Sequence, residues 1–527
     1  MMACSAGGRM AGSEVTEAGW RRTALDAMLE VQGFDVVIVC TGTEKQAAYW
    51  QERLERGVGR VIPSTCQVIC VYEDWNVGGA GNGLGTLYAW EKAQLKNPEL
   101  GEKLKRGEIS AALYHTAGKG TRLAPLPGAE NNNKPGVKLP AVCEGLGENG
   151  SSAPLTILES VVKQTGIYAA SRMGRLSVFW GDQIFVPTVD FKYAPTAHAD
   201  ILCSLGPMPS AEEWKERGLE KYGLIAVAKS GAACQIEKVD HKTAVEYTSE
   251  LGSEIVNVGT SLGSFSVSSS LLRLLTCEFS QELKDKNISL DTDPHWWMPA
   301  TLPLNAYMSL MKKKGVFEDE SKSHYARIRT MLEKLPKENH ILGPVDVGAN
   351  AYWWDYGQLK LYLKNAFRLI LKDDVEADAM REFMSVKLQN NSALTDVTMG
   401  VKSTIKGNCV MANVKVEHLE AHNSIAVNCT AKKLVLGKNS LAYNVLEENE
   451  LILEDGEVVT DIFMPDGSKI RQRSHIDVDG GTAWKLKLDN NIYSFETIYK
   501  TNLTTDVQQT AKDAQKQHLA LAQKLSF

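Results

Sequence analysis

An apolar run, Ile109 with Ala111, Ala112 and Leu113, breaks directly into Tyr114-His115-Thr116-Ala117-Gly118-Lys119-Gly120-Thr121-Arg122-Leu123, with Lys134-Pro135 and Leu139-Pro140 downstream. The run reads as a buried strand, so the glycines fall where a strand ends and the backbone must turn. Such a loop suits phosphate. Gly118 and Gly120 let backbone N–H groups approach an anion with no Cβ in the way, while Arg122 and Lys134 supply the charge to neutralise it. A glycine pair alone is an ordinary turn. The arginine and the downstream lysine make the difference.

Counting excludes two familiar phosphate loops. A Walker A loop needs G-x-x-x-x-G-K-[ST], but Leu113 stands where the first glycine belongs and Gly120 follows Gly118-Lys119. The dinucleotide fingerprint G-x-G-x-x-G needs a third glycine, and Leu123 occupies that position. What remains is G-x-G-T-R-L followed by a lysine.

The flanking sequence sets this loop in an α/β frame. Trp20–Leu29 has a helical pattern, Phe34–Cys40 reads as a buried strand, Thr41-Gly42-Thr43 breaks it, Ala47–Leu54 reads as a helix, and Cys66–Tyr72 is a second β-branched run. That rhythm predicts a parallel sheet. Between the second strand and Ile109 lies Gly78-Gly79-Ala80-Gly81-Asn82-Gly83-Leu84-Gly85-Thr86, running into a helix. A glycine-rich helix N-terminus offers oriented N–H groups, so Gly81, Gly83 and Gly85 are candidates for nucleotide contact.

Pro154–Thr165 reads as an amphipathic helix, and Leu176–Trp180 as a strand ending in Gly181-Asp182-Gln183. An aspartate past the carboxyl end of a parallel strand lies where open α/β sheets bind ligands, and it offers Mg²⁺ a hard oxygen. Residues 222–227 and 232–236 form a predicted hairpin that leads into Glu237-Lys238, and Asn257-Val258-Gly259 follows. Asp355, in Trp353-Trp354-Asp355-Tyr356-Gly357, precedes a helical stretch and by composition alone reads as an N-cap.

From about Asn391 the texture changes. Val401, Ile405, Val410, Val414, Val416, Ile425, Val427, Leu434, Leu436, Leu441 and Val445 recur at short intervals among Gly, Asn, Lys and Ser. This spacing suggests the short rungs of a β-helix, with a β-sandwich as the competing reading. His418 and His422, the histidines among the rungs, have no evident partner there and read as structural. The Ala-, Gln- and Lys-rich stretch from Thr504 to Leu525 predicts a closing helix that packs on another domain or subunit.

With 527 residues, the chain is expected to hold two or three domains. A formal net charge of -6 argues against a nucleic-acid surface but leaves room for a local cationic pocket. Ten scattered cysteines without paired spacing read as reduced thiols. No apolar run reaches membrane-span length and no secretory core opens the chain, while Glu14 and Glu17 speak against a transit peptide. The expectation is a cytoplasmic protein with no membrane partner.

Taken together, these motifs resemble the sugar-1-phosphate nucleotidyltransferases over most of residues 34 to 445. The resemblance implies a Rossmann-like nucleotidyltransferase domain with a mostly parallel mixed sheet, followed by a left-handed β-helix. It divides the chain into a tail over 1–22, a catalytic domain over 23–385, the β-helix over 386–490 and a helical extension over 491–527. It implies that Gly81, Gly83, Gly85, Gly118, Gly120 and Thr121 hold a nucleoside triphosphate. Arg122 would stabilise the departing pyrophosphate, and Lys134 would contact the phosphate being transferred. Asp182 and Asp355 would hold Mg²⁺, while Glu237, Lys238, Asn257 and Gly259 would meet the sugar 1-phosphate.

Within the family, Phe34-Asp35-Val36-Val37, Thr43–Tyr49, Gly81-Asn82-Gly83 and the spacing of Lys134 to Leu139-Pro140 look most like the fucose-1-phosphate guanylyltransferases, which use L-fucose 1-phosphate and GTP. The loop Gly118–Leu126 and Trp180-Gly181-Asp182 look more like hexose-1-phosphate enzymes using ATP or UTP, so base and sugar stay open. A non-catalytic subunit that senses nucleotide sugars is a further alternative. A homo-oligomer through the β-helix or the C-terminal helix is expected, because stacked rungs expose a flat flank.

Overall fold

The computed structural model describes residues 16–527 apart from 77, 117, 251–253 and 338 and the side chains of 248–250. Most of the tail expected over 1–22, and Ala117 of the glycine loop, therefore lie outside the described residues. The chain is a mixed α/β protein with two large sheets.

The first sheet starts from β-branched runs. Strand β1 (Val36–Thr41) is buried at every position, as expected for a central strand covered on both faces. It pairs in parallel with β2 (Gln67–Tyr72) on one side and β3 (Ala111–His115) on the other. The crossovers are α2 (Glu44–Arg56), capped by the Thr43 hydroxyl, and α3 (Gly81–Lys96), while α1 (Glu17–Leu29) precedes the sheet. A hairpin of β4 (Lys138–Cys143) and β5 (Ala153–Thr156) stands apart from the sheet. Strand β6 (Arg175–Trp180) extends the parallel set beyond β3.

A turn at Gly181-Asp182 leads to β7 (Gln183–Val186). Strands β8 (Ala197–Gly206), β9 (Gly223–Ala228), β10 (Ala233–Glu237), β11 (Ile255–Ser268) and β12 (His340–Asp346) complete the sheet. Its main path runs β10-β9-β11-β6-β3-β1-β2, with β8 pairing β11 and β12. The antiparallel half begins at β11. The expected hairpin after residue 222 is β9–β10. Strand β13 (Tyr352–Asp355) pairs antiparallel with β7. Asp355 is therefore the last residue of a strand, and the N-cap of the next helix is Gln358.

The second large sheet is a stack of mostly parallel rungs. Val410 pairs with Ile425, Ile425 with Leu441 and Leu441 with Val458, all in parallel register, which overturns the antiparallel pairing a β-sandwich requires. Asparagines turn the corners. Asn413, Asn428 and Asn444 all take positive φ, a conformation asparagine tolerates better than most residues. Their side chains bond from rung to rung, Asn413 to Asp396, Asn428 to Asn444 and Asn444 to the Asp461 carbonyl, at sequence offsets of 16 and 17 residues. Met411, Val416, Leu419, Cys429 and Leu434 fill the interior. Antiparallel strands Glu457–Phe463 and Lys469–His475 close the stack.

The C-terminal helix Val507–Lys524 packs on α2 and on the rungs of its own chain. Among the described residues no helix is long and apolar enough to cross a membrane.

A buried ion pair ties α2 to the helix Ile157–Thr165. Arg53 Nε and Nη2 donate to the two Glu159 carboxylate oxygens at 2.6 and 3.0 Å, and Glu159 also closes a capping box with Thr156. Removing one partner of such a pair strands the other charge away from water. Glu159→Ala is expected to cost about 3–5 kcal/mol, read as a lowered urea midpoint. A loss under about 1 kcal/mol would contradict this role.

Candidate active site

The glycine loop after β3 turns through left-handed backbone. Gly118 has φ +122° with open space where a Cβ would lie, and Gly120 has φ +64° with Lys134 packed against it. Arg122 is exposed, and no hydrogen bond or ion pair engages its guanidinium among the described residues. It is available to a ligand.

Lys134 reaches from its short helical turn to Asp182, Nζ to Oδ2 at 2.6 Å, with both side chains mostly buried. Asp182 sits in the turn between β6 and β7. Because β13 pairs with β7, with Gln183 opposite Asp355 and the Tyr356 N–H donating to the Asp182 carbonyl at 2.9 Å, the two aspartates meet across the ladder. A Cβ on Gly357 would lie 3.0 Å from Asp355 Oδ1 and 3.3 Å from Asp182 Oδ2. Both carboxylates thus border one small space that this glycine leaves open.

The electrostatics agree with that proximity. Burial above all, and then the charge of Asp182, push the Asp355 carboxyl up, while the Gly357 N–H, Lys134 and Arg122 act in the opposite direction. The structure therefore brings Arg122, Lys134, Asp182 and Asp355 within mutual electrostatic reach. Two carboxylates that border one space are oxygen donors of the kind hard divalent cations prefer.

The second glycine cluster is engaged differently. The Gly83 and Leu84 N–H groups donate to the Leu290 carbonyl, the Asn82 N–H to Asp291 and the Ala80 N–H to Glu73. A Cβ on Gly81 or Gly83 would lie 2.6 or 2.8 Å from the Leu290 oxygen, and one on Gly85 2.7 Å from Glu73 Oε1. The Gly83 amide and its neighbours at residues 80, 82 and 84 are therefore paired within the chain. The missing Cβ atoms admit residues 289–291 at Gly81 and Gly83, and Glu73 at Gly85.

Glu237 and Lys238 form an ion pair at 2.9 Å at the end of β10. Asp293 lies within electrostatic reach of both: burial first, then the charges of Glu237 and Asp291, raise its carboxyl to about 6, against Lys314 and Lys238. Asn257 lies on β11 opposite Val227, and Gly259 presses on β8, where a Cβ would meet the Ser204 carbonyl at 2.2 Å. No hydrogen bond or ion pair among the described residues joins this group to Asp182 or Asp355.

Two further features are not marked by the motifs above. Glu73 stands just past the carboxyl end of β2, a position the rule applied to Asp182 would have marked. The other is the segment after the rungs. Gly480 is buried so tightly on the glycine loop that a Cβ would lie 2.3 Å from the Thr121 carbonyl oxygen, and Gly481 neighbours Arg122. Asn132 and Asn502 bond across the same junction, and Lys119 lies over the Tyr499 ring.

No family model matches the chain, and no curated protein matches it in sequence. Among solved structures, the chain is similar to HddC from Yersinia pseudotuberculosis complexed with GMP-PN, at 11% identity and a TM-score of 0.22, over 62% of this chain and 96% of that one. A likeness that slight carries no argument, so function rests on the chain's own residues.

Gly480→Ala drives a methyl group into the Thr121 carbonyl and must displace the loop. The expected cost is about 1–3 kcal/mol of stability in urea unfolding. An unchanged midpoint would contradict the contact.

Proposed function

We propose that this chain is a sugar-1-phosphate nucleotidyltransferase, joining a sugar 1-phosphate to a nucleoside triphosphate with release of pyrophosphate. L-fucose 1-phosphate and GTP are the first substrates to test, ahead of hexose 1-phosphates with ATP or UTP. The observation that carries the reading is the meeting of Lys134, Asp182 and Asp355 beside a glycine loop whose arginine has no hydrogen-bond or ion-pair partner among the described residues. On this reading the first sheet is the Rossmann-like catalytic unit and the stacked rungs are a left-handed β-helix.

The chemistry is dictated by charge. Two anions must approach, a phosphate oxygen must attack the α-phosphorus, and pyrophosphate must leave in line, so positioning and neutralisation dominate. The nucleophile is already ionised and needs no general base. Arg122 presents a planar fork to the leaving pyrophosphate, and the Gly118–Thr121 backbone receives the triphosphate. Lys134, held by Asp182 in the ligand-free protein, turns its charge to the transferred phosphate. Glu237, Lys238, Asn257 and Gly259 are assigned to the sugar 1-phosphate, and Gly81, Gly83 and Gly85 to the wall facing the base.

The two carboxylates that border the space at Gly357 fit a hard divalent cation, and Asp182 and Asp355 would hold Mg²⁺ there. Bound Mg²⁺ would supply positive charge to the phosphates.

The direct test is to incubate the purified protein with a panel of nucleoside triphosphates and sugar 1-phosphates in Mg²⁺ and follow pyrophosphate. Release is expected only when both substrates are present, greatest with GTP and L-fucose 1-phosphate. Silence across the panel would overturn the reading. Arg122→Ala and Asp182→Asn are each expected to lower kcat about 10²–10³-fold, and near-normal turnover in either would refute its role.

A further inference from the structure

A second cluster lies one strand away from Asp182. Cys40 is the penultimate residue of β1, Glu73 follows the last residue of β2, and His115 ends β3. Cys40 and His115 are direct partners in the parallel ladder, so their side chains project to the same face. On β2 the alternation Ile69, Val71, Glu73 brings the carboxylate to that face too. One ligand atom from each, the Cys40 sulfur, a Glu73 oxygen and a His115 ring nitrogen, all lie within 4.8 Å of one another. Among the described residues this is the only group of three such side chains.

Three features prepare the cluster for a ligand. Opposite it, on α3, stands Gly85, where a Cβ would come 2.7 Å from Glu73 Oε1 and 3.4 Å from His115 Cε1. The missing methyl keeps the space open. The Thr86 hydroxyl donates its one hydrogen to the Asn82 carbonyl at 2.7 Å, so its oxygen accepts from His115 Nε2 at 2.9 Å. Nε2 then carries the proton, and Nδ1 is left with the lone pair, a hydrogen-bonded arrangement that commonly orients metal-bound imidazoles. Glu73 accepts one long bond, 3.4 Å from the Ala80 N–H, and no ion pair among the described residues engages it. His115 and Glu73 are half-buried, which gives an ion a way in.

We propose that Cys40, Glu73 and His115 form a binding site for a divalent metal of borderline softness, Zn²⁺ above all, separate from the hard-oxygen pair Asp182 and Asp355. Thiolate, imidazole and carboxylate together favour Zn²⁺ and disfavour Mg²⁺. Bonds of about 2.0–2.3 Å set ligand atoms closer together than that 4.8 Å limit, and rotation of the Glu73 side chain can adjust its own distance to the ion. Binding releases the Cys40 thiol proton to solvent, and the fourth position is left to water. The site is independent of the proposed catalytic reading, because none of its ligands serves that chemistry.

The test uses the full chain, stripped with a chelator and titrated with Co²⁺ and Zn²⁺. Expected are one saturable site per chain, a sulfur-to-cobalt charge-transfer band, tetrahedral cobalt absorption, and displacement by one equivalent of Zn²⁺. Cys40→Ser should abolish the charge-transfer band. Because that buried substitution can unfold the chain, Thr86→Val supplies a milder probe, expected to weaken Zn²⁺ binding about 10–100-fold with the circular dichroism unchanged. Cobalt binding without the sulfur band, binding unaltered in folded Cys40→Ser or Thr86→Val, or no saturable site would each overturn the proposal.

Discussion

The short ladder between β7 and β13 is the constraint on which the site depends. It joins residues far apart in sequence, setting Gln183 opposite Asp355 and fastening the Tyr356 N–H to the Asp182 carbonyl. Backbone hydrogen bonds thereby force two carboxylates together that would separate if they were free, since like charges at short range raise the cost of ionising both. Lys134 and the Gly357 N–H offset part of that repulsion. A cation with oxygen affinity would offset the rest, so the ladder creates an electrostatic demand as well as a geometry.

The glycine loop is held from outside its own sheet. Tyr443 of the rungs accepts from the Lys138 N–H, Asn502 donates to the Gly128 carbonyl, and Gly480 lies against Thr121. Residues from the last third of the chain therefore fix the loop that carries Arg122 and Lys134. A fixed loop backbone limits the rearrangement a ligand would require to side-chain rotation, and this buttress is a structural reason for the rungs and closing helices to share a chain with the α/β sheet.

Much of this was legible in sequence. Buried apolar runs marked β1, β2, β3 and β6, and the carboxyl-end rule marked Asp182, because those signals are local. Asp355 was harder: its strand is short and bounded by aromatics, and only its pairing with β7 separates a strand end from a helix cap. Gly81, Gly83 and Gly85 read as nucleotide contacts from their own stretch, where nothing reveals that Leu290 accepts from the Gly83 N–H and Asp291 from the Asn82 N–H. The rung register was present in the spacing of Asn413, Asn428 and Asn444, but a period set by left-handed corners is less visible than an apolar one.

The central claim is that Asp182 and Asp355 share one divalent ion beside a bound triphosphate. Crystals grown with Mn²⁺ and a non-hydrolysable GTP analogue test it most directly, through anomalous scattering from manganese. The account predicts one strong peak touching both carboxylates, with Lys134 turned away from Asp182 toward phosphate. A nucleotide bound with its manganese contacting neither aspartate would contradict it.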